Sequence, residues 1–595
     1  MIPMKPRGTV LVLVLVVIVL LALAAITFSK LMLAENKGAL YSVRQRQVRH
    51  LAESGVEFLR VTLMKDPQTL YELGGLYDNE DLFCGYVVTD GTIAMSGSQT
   101  GLESGSRGTV DYRDLGRFSV VAPGLSDDGS LYGESIRYGL EDESAKINLR
   151  WLAQLETQMP GYGRDLLLRL PGMTGEIADS LLDWLDEDSD PRENGAEDEY
   201  YGSLDPPCYT KNGIPDSLDE LLLVKGITPT LLYGIDWNRN GVLDRGEPDE
   251  STLDNDGGSD GSLNLGLIAY LTLDSRESNI NPTTGEPKID INMSDTSGLA
   301  EALAEVLDDQ ELIDFIVAYR EENEKVKTLL DLVDGRVGEG EAAKTSPIVS
   351  TDFDTMNSVL PLLYDALTLG EEPVVGRINI NQAPRGVLQL LITTQEDADA
   401  ANTANSAQSA SRSETTGNAN GSGDDGDASE GNAGGESEGE GNEGIPDGVS
   451  ADSLGGTMGG GTMGGGTGTL SDIPTEEIIE GILAERTLDP ALMDDTPEMR
   501  YPFWPYTHGI IDDFETMKKL EPYFCTQGSV FKAQVIGRFD EQSPTARLEV
   551  WLDATDPRKP AKVLRIRELT DLGGGFPGEL LGVEPLQNAR SAGLR

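Results

Sequence analysis

From Val10 to Phe28 every position is apolar except Thr27, with Lys5 and Arg7 before the run and Lys30 after it. A stretch of that length and hydropathy inserts into a bilayer. It exceeds the usual core of a cleaved secretory signal, although Ala22, Ala24 and Ala25 offer small residues of the kind such a cleavage site needs. Beyond Phe28 the pattern becomes amphipathic without a helix breaker. There is no proline until Pro67, and Leu40, Val43, Val48, Leu51, Val56, Leu59 and Leu63 recur at helical spacing. The pattern predicts one helix over residues 9–66, about 55 residues and about 80 Å long, with an all-apolar first half and an amphipathic second half.

Three later segments share a pattern: KINLRWLAQLE at 146–156, KIDINMSDTSGLAEALAEVL at 288–307 and RININQAPRGVLQLL at 377–391. Each opens on Ile-Asn or Ile-Asp-Ile-Asn before a helical apolar period, and the asparagine suits an N-cap. Each is followed by a second helical pattern: GEIADSLLDWLDED, DDQELIDFIVAYREEN and PTEEIIEGILAERT. The reading is a repeated unit of strand end plus helical hairpin. LLLRLPGMTGEIADSLLDWL, with its Leu-Pro-Gly turn, resembles a helix-hairpin-helix module, and LLLVKGITPTLLYG is a weaker echo. Its surroundings are Glu176, Asp179, Asp183, Asp186, Glu187 and Asp188, which favours a packing hairpin over a phosphate site.

The flanks read as strands. GRFSVVAPG and LYGESIRYGLED precede the first repeat, while SVFKAQVIGRFD, TARLEVWLDAT and AKVLRIRELTDLG form an evenly spaced meander near the C-terminus. A helical domain is thus expected between parts of one sheet. Residues 395–470, rich in Asn, Ser, Gly, Asp and Glu and carrying GGTMGGGTMGGGTG, are expected to be disordered. They separate the two helices of the third unit, so they read as an inserted loop whose ends the hairpin holds together.

Composition narrows the function classes. At 595 residues the chain exceeds what one core organises. Lys plus Arg number 46 against 102 Asp plus Glu, a formal net charge of −56, which opposes nucleic acid as a partner and suits hard divalent cations. Cys84, Cys208 and Cys525 are far apart in sequence, form no CxxC pair and allow at most one disulfide. His50 and His508 adjoin no nucleophile motif and read as surface or packing residues. The carboxylate-dense DWLDEDSDPRENGAEDEYYG at 183–202 reads as a solvated face or cation site rather than a glycosidase pair, and no enzyme is expected.

The sharpest chemical motif is Asp236-Trp-Asn238-Arg-Asn240-Gly241-Val242-Leu-Asp244-Arg-Gly-Glu247, whose D-x-N-x-N-G-x5-E spacing is that of the twelve-residue calcium loop. Asp236, Asn238 and Asn240 supply side-chain oxygens, Gly241 the turn and Val242 a carbonyl. Asp244 acts directly or through water, and Glu247 closes the shell. Pro248 disfavours an exiting helix, so a lone structural calcium is expected rather than a paired sensor. Asp254, Asp256 and Asp260 form a second acidic run of irregular spacing.

The leader ending in Gly8, followed by the apolar stem, resembles the class III signal of type IV pilins and pseudopilins. That likeness implies cutting after Gly8 by the prepilin peptidase and methylation of the new N-terminus, Thr9. The family's fifth mature residue is usually Glu; here it is Leu13. A subunit at the tip has no neighbour ahead whose amine it must neutralise, and leucine avoids an unpaired carboxylate in the membrane.

ESAKINLRWL, DWLDEDSDPRENGAEDEYY, ELLLVKGIT, AYLTLDSRESN, RININQAP and GSVFKAQVIGR occur in the order expected of the minor pseudopilin K family of type II secretion, which the chain resembles outside its insert. The resemblance implies an α+β pseudopilin fold, a long N-terminal helix on an antiparallel sheet, with a large inserted helical domain. It further implies an inner-membrane, single-pass anchor with the bulk in the periplasm, partnership with minor pseudopilins I and J and the major pseudopilin, and a place at the pseudopilus tip where assembly starts. Two other classes fit parts of the sequence: a calcium-stabilised, membrane-anchored minor pilin or adhesin, and a helix-hairpin-helix DNA-uptake protein, which the charge opposes. The expected divisions are a leader at 1–8, the stem helix at 9–66 and the first part of the α/β domain at 67–145. They continue with the inserted helical domain and calcium loop at 146–375, the start of the third unit at 376–394, the insert at 395–470 and the remaining helices and meander at 471–595.

Overall fold

The computed structural model describes residues 9–89, 92–94, 115–124, 136–242, 265–323, 325–338, 340, 343–370, 372–391, 475–489, 497–539 and 543–582. The expected leader, Asp244, Glu247, the acidic run at 254–260 and the insert at 395–470 lie outside the described residues.

Helix α1 spans Thr9–Thr62 without interruption, 54 residues. Its apolar half is exposed from Leu11 through Leu33. It is long and apolar enough to cross a membrane. In its amphipathic half, Val48, Leu51, Ala52, Val56, Leu59 and Leu63 are buried against the sheet. The change from apolar run to helical stripe is therefore the change from exposed stem to packed helix.

The sheet is antiparallel at every pairing along its main path. Its strands are β1 (Tyr86–Thr89), β2 (Thr92–Ala94), β3 (Gly116–Pro123), β4 (Val530–Arg538), β5 (Ala546–Asp553) and β6 (Lys562–Glu568), in the order β6-β5-β4-β3-β1-β2. The centre joins opposite ends of the chain: β3 pairs with β4 from Val121↔Gln534 to Arg117↔Arg538. Of the expected strand at 131–142, the described parts are two short pieces, Ile136–Arg137 and Glu141–Asp142. Arg137 breaks the apolar run there, because its guanidinium is buried and donates to the carbonyls of Pro123 and Leu140.

Alternation along the strands gives the sheet two different faces. Phe118, Val120, Phe531, Ala533, Val535, Leu548, Val550 and Leu552 share one core with α1. The opposite face carries Arg117, Ser119, Gln534, Arg547 and Glu549, which are polar and nevertheless buried. Contact with α1 is close enough to require glycine: a Cβ on Gly537 would stand 2.1 Å from the Val48 carbonyl oxygen, and one on Gly55 2.5 Å from Val535.

Between β3 and β4 lie the three repeated units, each closed by its own two-residue parallel ladder. Ile147–Asn148 pairs with Leu271–Thr272, Ile289–Asp290 with Leu367–Thr368, and Ile378–Asn379 with Phe524–Cys525. Each unit thus starts and ends at one place. The paired helices are α2 (Leu149–Gln158) with α3 (Tyr162–Leu168) and α4 (Gly175–Leu185), then α5 (Thr296–Val306) with α6 (Gln310–Glu322), and finally α7 (Arg385–Leu391) with α8 (Thr475–Glu485). All three units contribute to one apolar core. Arg385 bridges Glu476 and Glu480 at 2.9 and 2.7 Å, so the two ends of the long insertion meet in a hairpin.

The asparagine signature has a more varied role than N-capping. Asn148 caps α2 by accepting from the Arg150 amide at 2.8 Å. In the second unit the helix starts later, capped by Asp295. Asn292 instead donates to the Val326 and Leu369 carbonyls and accepts from the Val326 amide. In the third, Asn379 turns the chain by accepting from the Asn381 amide and donates to Asp142. What the three share is an Asx turn leaving the ladder, at Asn148, Asp290 and Asn379.

Candidate functional site

Two polar features stand out, and the first is the start of the calcium-type loop. Thr228 caps the short helix Pro229–Tyr233, which delivers the chain to Asp236. The Asp236 carboxylate is buried and accepts from the Asn240 amide at 3.1 Å and the Gly241 amide at 2.7 Å. These bonds curl the backbone through the left-handed conformations of Arg239 (φ 57°) and Gly241 (φ 73°). Asn240 accepts from the Val242 amide at 2.8 Å and donates to the Gly575 carbonyl at 2.6 Å, which fixes its side-chain oxygen on the loop side.

The loop is docked on the polar face of the sheet. Arg547 of β5, fully buried, donates to the carbonyls of Asn238 at 3.0 Å and Arg239 at 3.2 Å, and to Gln534 at 2.9 Å. Gln534 of β4 donates to the Arg239 carbonyl at 2.6 Å. The Arg239 guanidinium lies over the Tyr233 ring at 3.9 Å. Sequence reasoning missed Arg547 and Gln534; a charged residue at an alternate position of a buried strand was the available signal. Asp236, Asn238, Asn240 and Val242 all fall on this turn, whereas Asp244 and Glu247 lie outside the described residues.

Beside the loop runs a charge network joining sheet and helical units. Lys146 bridges Glu141 at 2.7 Å and Glu143 at 2.8 Å, and Lys532 bridges Glu549 at 3.3 Å and Glu141 at 3.5 Å. Burial alone would raise the Glu141 carboxyl, but the charges of Lys146 and Lys532 outweigh it and hold it well below the usual range. Arg567 extends the network to Glu549 and to Asp219 of the first unit.

The second feature is the acidic turn after α4. Asp179 and Asp183 do not form a solvated face; both are buried and organise the segment. Asp179 takes Arg164 at 2.5 Å and the Asn194 amide group at 3.1 Å. Asp183 takes Arg192 at 2.8 Å and the Ala196 backbone amide at 2.8 Å. A Cβ on Gly195 would stand 1.8 Å from Asp183, so glycine is needed for the return of the chain. Lys225, beside the second hairpin-like turn, is paired with Glu176 at 3.0 Å. With Arg164 also engaged, cations of both turns are spent on carboxylates within the unit, as a packing hairpin requires.

His50 lies exposed on α1 beside Glu53, and His508 contacts Glu485 and Glu498. Cys84, Cys208 and Cys525 are all free thiols, and burial pushes the Cys525 thiol well up.

A membrane-length helix packed on an antiparallel sheet, with helical units set between the strands, defines an α+β protein with an inserted helical region. Within it, residues 145–235 match the family model described as type II secretion system (T2SS), protein K. The match covers most of the first helical unit, with its acidic turn, and over that stretch the chain is similar to protein K of type II secretion. An Escherichia coli (strain K12) protein carrying the type II secretion system protein K designation is 31% identical over 109 residues, 17% of this chain. The chain covers about a third of that relative, 33% of its length.

Proposed function

We propose that this chain is a minor pseudopilin of the type II secretion pseudopilus, placed at the tip with I- and J-type minor pseudopilins, where it starts assembly of the major pseudopilin and supports export. The observation that carries the reading is α1: its apolar half is exposed while its other half is locked to the sheet. A helix so divided anchors the subunit in the inner membrane before assembly and packs among neighbouring stems afterwards, with the folded bulk in the periplasm. The bulky helical units add volume that suits a terminal subunit. Processing after Gly8 by the prepilin peptidase and methylation of Thr9 complete the proposal.

The proposal includes a structural calcium in the 236–247 loop. The residues described there are of the right kind: Asp236, Asn238 and Asn240 are oxygen donors suited to a hard cation, and the bonds from the Asn240 and Gly241 amides to Asp236 curl the chain around its carboxylate. Asp236, Asn238, Asn240 and the Val242 carbonyl would hold the ion with Asp244 and Glu247, fixing the loop against the sheet. Mass spectrometry of the mature protein tests the processing. A methylated Thr9 is expected; an intact Met1 or a cut near Ala25 overturns the reading. Recovery with secretion-channel components, rather than display beyond the outer surface, separates it from an adhesin.

A further inference from the structure

We infer that the face of α1 just below the sheet binds the anionic head groups of the membrane, with Lys30 and Lys37 as the cations that engage them. This rests on the reading of α1 as the membrane anchor, and adds which lipids meet it and on which side. Between residues 30 and 50 the helix carries Lys30, Lys37, Arg44, Arg46 and Arg49 against Glu35 alone, in a chain whose formal net charge is −56. Cations are thus concentrated where the helix leaves its apolar half.

Three of these cations share a face. Seven residues make almost two helical turns, so Lys30, Lys37, Arg44 and Leu51 stack in one line with a drift of about 20° at each step. Leu51 is buried against the sheet, and the Arg44 guanidinium lies over the ring of Phe539, a member of the same core, at 4.2 Å. The line therefore continues the sheet-facing stripe toward the membrane, and apolar residues give way to cations where the sheet ends. Glu35 is about 140° round the helix from Lys30 and Arg46 about 160°, so neither belongs to the line. Arg49 is paired with Glu53 at 3.2 Å and Glu568 at 2.9 Å, within the body.

Depth fits the same partner. The apolar run from Val10 to Phe28 is about 28 Å long as a helix, close to the hydrocarbon thickness of about 30 Å, so Lys30 falls at the level of the head groups. Lys37 stands about 10 Å further out along the axis, on the side where the sheet lies. Both lysines are exposed. Spanning helices are tilted by about 20° on average, and a flexible lysine stem carries its ammonium back toward the interface. A tilt toward the basic line brings Lys37 down to the phosphates. An anionic surface repels the acidic bulk of the chain, so this line of cations decides which side of the stem leans inward.

The full chain in lipid nanodiscs, with spin-labelled phosphatidylglycerol or phosphatidylcholine as the probe, tests the surface. Electron paramagnetic resonance should show the anionic lipid held at the protein at least about fivefold more strongly than the zwitterionic one, the factor that one near-surface cation supplies. That preference should fall close to unity in the double variant Lys30→Gln/Lys37→Gln and shrink in wild type at about 0.5 M salt, while Arg46→Gln, on the far side of the helix, keeps it. Equal association of the two lipids with wild type, or a preference unchanged in the double variant, would overturn the inference and leave the anchor intact. A double variant that loses self-association but keeps its lipid preference would assign the line to a neighbouring copy, which also overturns it. Failure of wild type to enter the discs at all would remove the anchor reading, and this inference with it.

Discussion

Arg547 shows how one side chain can decide the form of a site built by another segment. It lies on β5, yet its bonds run to the backbone of Asn238 and Arg239 more than three hundred positions earlier. Replacing it with methionine keeps the α1 packing but removes the donor to the Asn238 carbonyl and leaves the Arg239 carbonyl to Gln534 alone. A loss of about 2–4 kcal/mol is expected, read by urea unfolding, together with weaker calcium-dependent stabilisation of the loop. Glu141 supplies a pH dependence. Its folded carboxyl is depressed by Lys146 and Lys532 to about 2, against 4.5 ordinarily. The stabilisation it brings is therefore complete above about pH 4.5 and is lost as pH falls toward about 2. Wild type should lose stability over that window more steeply than Glu141→Gln, as thermal melts across the range would show.

At the scale of elements, the sheet and stem meet through absent side chains. Gly537→Ala places a methyl 2.1 Å from the Val48 carbonyl oxygen and forces α1 away from β4, at an expected cost of about 1–3 kcal/mol in unfolding measurements. Most elements were legible from pattern alone. The 54-residue helix follows from the lack of proline and the change from apolar run to stripe, and β3 to β6 follow from dense β-formers between turns. The repeat was legible as Ile-Asn, but its meaning was not, because the parallel partners Leu271, Leu367 and Phe524 lie tens of residues downstream and two-residue strands leave no periodicity. For the same reason the spacing of Asp236, Asn238 and Asn240 announced the loop, whereas nothing local announced that it docks on Gln534 and Arg547. Asp183 looked like one more surface acid because sequence distance hides the Arg192 and Ala196 groups that satisfy it.

At the scale of the molecule, each helical unit is a closed excursion from a two-residue ladder. Extra chain can therefore enter at a hairpin without displacing the unit's ends. Residues 392–474 do so between α7 and α8, whose contact Arg385 secures. Replacing most of that segment with a short glycine-serine link should change unfolding free energy by no more than about 1–2 kcal/mol, since closure entropy grows only logarithmically with length. A cooperative transition at a markedly lower temperature would instead assign the segment a packing role.

The pairing of β3 with β4 also sets an order in time. Residues 116–123 must wait for 530–538 before the sheet has a centre, the slowest kind of contact for a chain to make. The ladders shorten that wait, because each unit can condense on its own and bring its two ends together, replacing a search across the whole chain by a few local closures. Protection from hydrogen exchange during refolding should accordingly appear first at Ile147, Ile291 and Ile380, whose amides join the ladders, and last at Val120 and Val535. Until that last step the amphipathic half of α1 lacks the part of its floor that β4 and β5 supply, so its full burial waits on the same long-range pairing.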